Sequence, residues 1–222
     1  MRNWFYLMMS FALLASCSVK TNEEKARELI EPEVKANLIK PESYEFAQLQ
    51  LDSCFRDDIQ SNPEMFVFAL KVAKLFNEYK EYMSEAERAE SSMTIFAPSY
   101  GYQSAHSKQQ QKKYKAEMER AQRKATAAKE KIVQLYKDNK PLFTNLKQGK
   151  HEFLGWAATL GYRAEAVGGM KTMGGSFFFL NKDLTEITHR FTEEDLMLIE
   201  SADLDDLKYE FEEELKEFFG NE

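Results

Sequence analysis

From Met65 onward the apolar positions advance in alternating steps of four and three: Met65, Ala69, Val72, Phe76, Tyr79, Met83 and Ala86. The rhythm returns at Tyr114, Met118, Ala121, Ala125, Ala128, Ile132 and Leu135. Each run covers about three heptads, the signature of helices that pack lengthwise in coiled-coil fashion. The pattern predicts an antiparallel helical hairpin over about 63–138, each arm roughly 40 Å long at 1.5 Å per residue. Asn62-Pro63-Glu64 supplies its start, with a capping side chain, a proline at the first turn and an acid beside the helix dipole. Ala121, Ala125 and Ala128 are small enough to admit bulky neighbours, for which Phe66, Phe68 and Phe76 qualify. The stripe reads as a core seam, with a partner-docking face as the alternative.

Elsewhere the period is two. Ala47, Leu49 and Leu51 alternate with Gln48 and Gln50 in a half-buried strand over 44–51, closed by Asp52-Ser53. Leu154, Trp156, Ala158, Leu160, Tyr162 and Ala164 mark a long strand over 152–165, and Gly155 suits a close approach by a neighbouring strand. Gly168-Gly169 and Gly174-Gly175 bracket a loop before strands at 176–181 and 184–191. Thr192-Glu193-Glu194-Asp195 has the form of a capping box and opens one or two acidic helices ending near Phe219. The short connections and the absence of a βαβ rhythm predict antiparallel pairing. The fold class is therefore α+β: a small antiparallel sheet, a long inserted αα-hairpin and a C-terminal helical segment, in one domain over 41–222. On the long strand Trp156 reads as a core anchor. Arg163 falls on the opposite, more exposed face, open to a carboxylate from a partner or from the acidic C-terminal segment.

The first residues follow neither period. Arg2 precedes a twelve-residue run, Trp4 to Ala15, that is apolar except for Ser10 and ends in Leu14-Ala15-Ser16-Cys17. That run is shorter than the roughly 20 residues a membrane-spanning helix needs, and small residues precede the cysteine as they would a cleavage site. The segment resembles the signal peptide and lipobox of bacterial lipoproteins. The resemblance implies diacylglyceryl transfer to the Cys17 thiol, removal of residues 1–16, acylation of the new amine and a chain held to the bilayer by Cys17 in the cell envelope. Its implied address is the outer membrane, on the periplasmic or the surface face. More than one acyl chain, at about 0.8 kcal/mol per buried CH₂, gives a stable anchor. Residues 17–40 then read as lipidated cysteine and tether, with Pro32 and Pro41 interrupting any helix begun at Glu23. Phe153-x-Gly155-Trp156, Tyr162-Arg163-Ala164 and Gly168-Gly169, with Lys40-Pro41-x-Ser43-Tyr44-Glu45 and Asp52, resemble a group of small uncharacterised Bacteroidetes lipoproteins with a Gly-Trp strand. That second resemblance implies address and fold class but carries no activity.

Charge is sorted along the chain. Residues 108–140 hold 11 Lys/Arg against 4 Asp/Glu, whereas residues 192–222 hold 2 Lys against 13 Asp/Glu. The overall charge of −7 argues against general nucleic-acid binding. The basic and acidic segments are expected either to be solvated, attracting each other across the fold, or to leave the basic helix for anionic headgroups.

Familiar chemistry is not written in the spacing. Met170-Lys171-Thr172 lies among glycines, but a phosphate loop needs Gly where Met170 and Glu165 stand. His106, His151 and His189 form no HxH or HExxH pattern, and Cys54 has no intramolecular cysteine partner once Cys17 is acylated. No catalytic residue, metal ligand or cofactor is assigned. The expected function is a non-enzymatic, envelope-anchored module that binds a protein or glycan. Its candidate contacts are Phe96, Tyr100 and Tyr102 in the long 91–107 loop, and Arg163 on the sheet. The alternatives are a structural subunit of an envelope assembly docking through the hairpin and, third, an enzyme of unspecified class.

Overall fold

A computed structural model describes residues 20–59, 61–97, 104–147, 149, 151–202 and 204–219. In chain order the elements are α1 (Asn22–Ala36), a 3-10 turn (Pro41–Ser43), β1 (Glu45–Phe55), α2 (Pro63–Ile95), α3 (Ala105–Asp138), α4 (Lys140–Lys147), β2 (Phe153–Glu165), β3 (Lys171–Leu180), β4 (Ile187–Phe191), α5 (Glu193–Ser201), α6 (Leu204–Glu210) and α7 (Glu212–Phe219). The chain is α+β, with a four-stranded antiparallel sheet and a long helical hairpin. Its described residues divide into two compact units, one within 20–53 and 155–190 and the other within 54–154 and 191–219, where a single domain from residue 41 is expected from the sequence. No helix of the described residues is long and apolar enough to cross a membrane.

The first unit is built on the sheet, ordered β1-β2-β3-β4. Its core joins Ala26, Ile30 and Val34 of α1 to Ala158 and Leu160 of β2 and Phe178 and Leu180 of β3. Here the tether expected over 17–40 is corrected, because a helix of 15 residues occupies Asn22–Ala36. Thr21 caps it: its hydroxyl accepts from the Glu24 N–H at 3.2 Å, and the Glu24 carboxylate accepts from the Thr21 N–H at 2.8 Å. Pro32 sits inside this helix. A proline there forgoes one backbone bond and costs about 3 kcal/mol in an isolated helix. Burying the i, i+4, i+8 stripe of Ala26, Ile30 and Val34 offsets that loss, since tertiary packing supplies most helix stability in proteins.

Three strand boundaries also differ from expectation. β1 continues past Asp52-Ser53 to Phe55. β3 starts at Lys171 and carries Gly174-Gly175 as extended residues opposite Tyr162 and Gly161, so only Gly168-Gly169 forms the turn, at φ +105° and +81°. β4 begins at Ile187 because the Asn181 side chain builds the preceding turn, accepting from the Thr185 N–H at 2.8 Å and the Glu186 N–H at 3.2 Å. The expected close approach at Gly155 is present. Its φ is +146°, and a Cβ there would lie 2.2 Å from the Leu180 carbonyl oxygen.

The second unit is dominated by α2 and α3, 33 and 34 residues long. Each is about 50 Å in length at 1.5 Å per residue. The Asn62 side chain is buried and bonded at both ends: Oδ1 accepts from the Glu64 N–H at 2.9 Å, and Nδ2 donates to the Arg56 carbonyl at 2.9 Å. Ala121, Ala125, Ala128, Ile132 and Tyr136 are buried on α3, and Phe68, Val72, Phe76, Tyr79, Ala86 and Ala89 on α2. The heptad stripe is thus a core seam. After β4, the Thr192 capping box forms with Asp195 in the third position, and three helices follow where one or two are expected. Leu207, Phe211 and Leu215 are fully buried against the hairpin core. The Tyr79 hydroxyl donates to Glu210 at 2.8 Å. Burial, and then this carboxylate, push the Tyr79 phenol up to about 12.

Candidate functional site

Within the sheet unit the side chains of β2 alternate between two environments. Trp156, Ala158, Leu160 and Tyr162 belong to the core under α1, and the Trp156 indole N–H donates to the Lys182 carbonyl at 3.1 Å. Thr159 and Arg163, on the odd-numbered side, are exposed. Arg163 pairs in register with Met173 of β3, and its Nε lies 3.4 Å from the Met173 sulfur. Two residues further along β2, Glu165 pairs with Lys171.

Charged side chains surround Arg163 in a chain of partners. The Lys171 ammonium binds Glu45, and the Lys40 ammonium binds Glu165. Lys171, with a smaller contribution from Arg163, holds the Glu45 carboxyl below its ordinary range. Lys40 does the same for Glu165. The Ser43 hydroxyl accepts from the Glu165 N–H at 2.9 Å, which fixes the start of β1 against the end of β2.

The connection between β2 and β3 adds the apolar part. The Ala166 N–H donates to the Met170 carbonyl at 2.9 Å, and the Gly169 N–H to Ala166 at 3.1 Å. This tight turn needs left-handed backbone at Gly168 and Gly169, which glycine adopts without a steric penalty. Its flanking side chains project into solvent: Val167 is 86% exposed, Met170 74% and Met173 61%. Three large apolar groups are thus exposed within seven residues, and one of them, Met173, touches Arg163. Only Arg163 is singled out from the sequence. The signal for its neighbours is the run Val167-Gly168-Gly169-Met170, where apolar residues flank a turn that no helix or strand period can bury.

The other predicted contacts lie in the helical unit. Phe96 caps the end of α2, half-buried, with its ring stacked on Tyr114 at 5.7 Å between centroids and 17° between planes. Its second neighbour is His106, edge-on at 6.4 Å. Phe96 therefore folds back onto α3. Tyr100 and Tyr102, like Cys17 and the rest of the lipobox, lie outside the described residues. The expected 91–107 loop is shorter than its limits suggest, because α2 runs to Ile95 and α3 begins at Ala105. Ser104 caps α3, its hydroxyl accepting from the Ser107 N–H at 3.0 Å.

The titratable residues are dispersed over both units. His106 opens α3, His189 is on β4, and His151 stacks on Phe55 with Nδ1 3.1 Å from the Asp57 carboxylate, in an exposed setting. The Cys54 thiol is buried. Among the described residues no group of three or more His, Cys, Asp or Glu side chains is placed to hold a metal ion. The arrangement around Arg163 offers recognition chemistry, namely a guanidinium able to pair with a carboxylate and an adaptable methionine surface. No protein-family model, curated protein or solved structure matches the chain.

Proposed function

We propose that this chain is a lipid-anchored protein of the bacterial envelope that works as a non-catalytic binding module, with the surface around Arg163 as its contact. The observation that carries the reading is the exposed Met173 against that guanidinium, with Val167 and Met170 exposed at the adjoining turn. Methionines adapt to varied partner surfaces, and arginine is enriched at binding hot spots. Exposed apolar side chains among paired charges favour a protein partner over a glycan. The lipobox at Leu14-Ala15-Ser16-Cys17 supports the anchor, which would confine the module to a membrane surface and raise its effective concentration toward partners there.

Two substitutions test the two halves of the proposal. Cys17→Ser should abolish metabolic fatty-acid labelling and leave the precursor unprocessed; unchanged labelling overturns the anchor. Arg163→Glu with Met170→Asp should remove co-purifying protein from detergent-solubilised membranes. Because both side chains are exposed, unfolding free energy should change by less than about 0.5 kcal/mol per site. Capture that is unchanged in the double variant overturns this surface as the contact.

A further inference from the structure

Arg163 is less well partnered than the charges around it. The carboxylates of Glu45 and Glu165 are engaged by Lys171 and Lys40. Among the described residues, the hydrogen-bond acceptor of the Arg163 guanidinium is the Met173 sulfur, with Nε donating to Sδ at 3.4 Å. A thioether is a weak acceptor, whereas a guanidinium N–H is a strong donor that keeps its charge at every physiological pH. Backbone pairing sets the contact. Arg163 and Met173 are directly opposed in the β2–β3 register, so both side chains leave the same face of the sheet at neighbouring positions. Met173 is 61% exposed and within reach of dissolved reagents, while the Cys54 thiol is buried and sheltered from them.

We propose that Met173 is an oxidation site whose sulfoxide captures Arg163 and withdraws it from the contact surface. The reagent is a peroxide, and the step is a two-electron oxygen transfer. Arg163 occupies one lone pair of the sulfur, and the other attacks a peroxide oxygen. The S–O bond forms as the O–O bond breaks, and the transferred oxygen gives its proton to the departing hydroxide. Thioether and hydrogen peroxide thus become sulfoxide and water, with sulfur oxidised by two electrons and the peroxide reduced by two. The product is polar, and its oxygen is a far better acceptor, one bond from the atom that the Nε–H already faces. Oxidation therefore removes an exposed apolar group and ties the guanidinium to its own sheet. Sulfoxide reductases reverse the change. The consequence for a partner rests on the reading of this surface as the contact; the modification and the capture of Arg163 do not.

Two other exposed methionines serve as references, Met170 at 74% in the same turn and Met197 at 52% on α5 of the helical unit. The full-length protein is treated with hydrogen peroxide, and peptide mass spectrometry locates the added oxygen. Met173 should be oxidised alongside Met197; a Met173 left intact while Met197 reacts overturns the site. Solvent exchange of the Arg163 Nε–H, followed by NMR, should slow about tenfold once Met173 is oxidised. Met173→Leu, a near-isosteric change at an exposed position, should abolish that slowing, and Met170→Leu and Met197→Leu should preserve it. Exchange that is unchanged in protein with oxidised Met173, or that still slows in Met173→Leu, overturns the capture. Partner protein recovered from detergent-solubilised membranes should be lost after peroxide, regained after sulfoxide reductase, and kept by peroxide-treated Met173→Leu. Recovery that survives oxidation of Met173 overturns the regulation. A wild type that recovers no partner before treatment sinks the contact reading and the regulation built on it, and the exchange measurement still decides the capture of Arg163.

Discussion

The sheet unit and the helical unit dispose of their apolar residues in opposite ways. In the helical unit the long stripe is closed in the seam, and large exposed hydrophobic residues such as Ile95, Met197 and Tyr209 fall singly on different elements. In the sheet unit the core under α1 is equally buried, yet Val167, Met170 and Met173 are each exposed within one seven-residue stretch around a turn. Packing sets side-chain positions along the helices, whereas backbone geometry at two left-handed glycines sets them in the turn. Exposed apolar groups gathered at such a turn contribute little to the core and are available to a partner.

The largest effect that would break this contrast is in the seam. Ala125→Asp places a carboxylate at a position only 2% exposed, among Phe76, Tyr79 and Ile132. A desolvated, unpaired acid should cost about 3–5 kcal/mol and be seen in chemical denaturation. A midpoint that barely moves would mean that the stripe is not a closed core, and the helical unit would lose its half of the comparison. Next in size is Gly155→Ala in the sheet unit. The added Cβ meets the Leu180 carbonyl at 2.2 Å, so β2 and β3 must separate or the backbone must distort, at a cost of about 2–4 kcal/mol. Wild-type stability in that variant would show that the strand pair is not held as closely as described.

Much of this arrangement is legible in the sequence because it follows from period and capping. The hairpin, the Asn62 start, the Thr192 box and the assignment of Trp156 to the core and Arg163 to the opposite face all come from local pattern. α1 escapes for a physical reason: Pro32 is a strong local signal against a helix, and the fully buried strand residues that share a core with Ala26, Ile30 and Val34, among them Ala158, Leu160 and Phe178, lie more than a hundred residues away. The length of β3 is obscured in the same way, since Gly174 and Gly175 favour a turn locally but are held extended by pairing with β2. At the site, Arg163 stands out by alternation. Its apolar neighbours do not, because exposure at a turn is a property of the fold and no periodicity records it.

A smaller effect distinguishes the units by pH. Glu31 of the sheet unit is raised by burial but held below its ordinary value overall by Arg27 and Lys35. Asp195 of the helical unit is likewise raised by burial and lowered more by Lys74 and the Thr192 cap. A depressed folded-state pKa contributes stability that is complete above the ordinary carboxylate range and lost as pH falls through the depressed value. Melting temperature should therefore decline as pH drops below about 4. Glu31→Gln should flatten that decline for the sheet unit and leave the Asp195 contribution in place. An acid profile unchanged by both Glu31→Gln and Asp195→Asn would show that neither ion pair contributes.

The central claim is that the turn beside Arg163 meets a partner protein, and site-specific photo-cross-linking in living cells tests it most directly. A photoreactive amino acid at position 170 should yield a discrete protein adduct, absent when the same group is placed at Lys112 on the exposed side of α3 and lost when Arg163→Glu is added. No adduct at 170, or an adduct indifferent to Arg163→Glu, would contradict it.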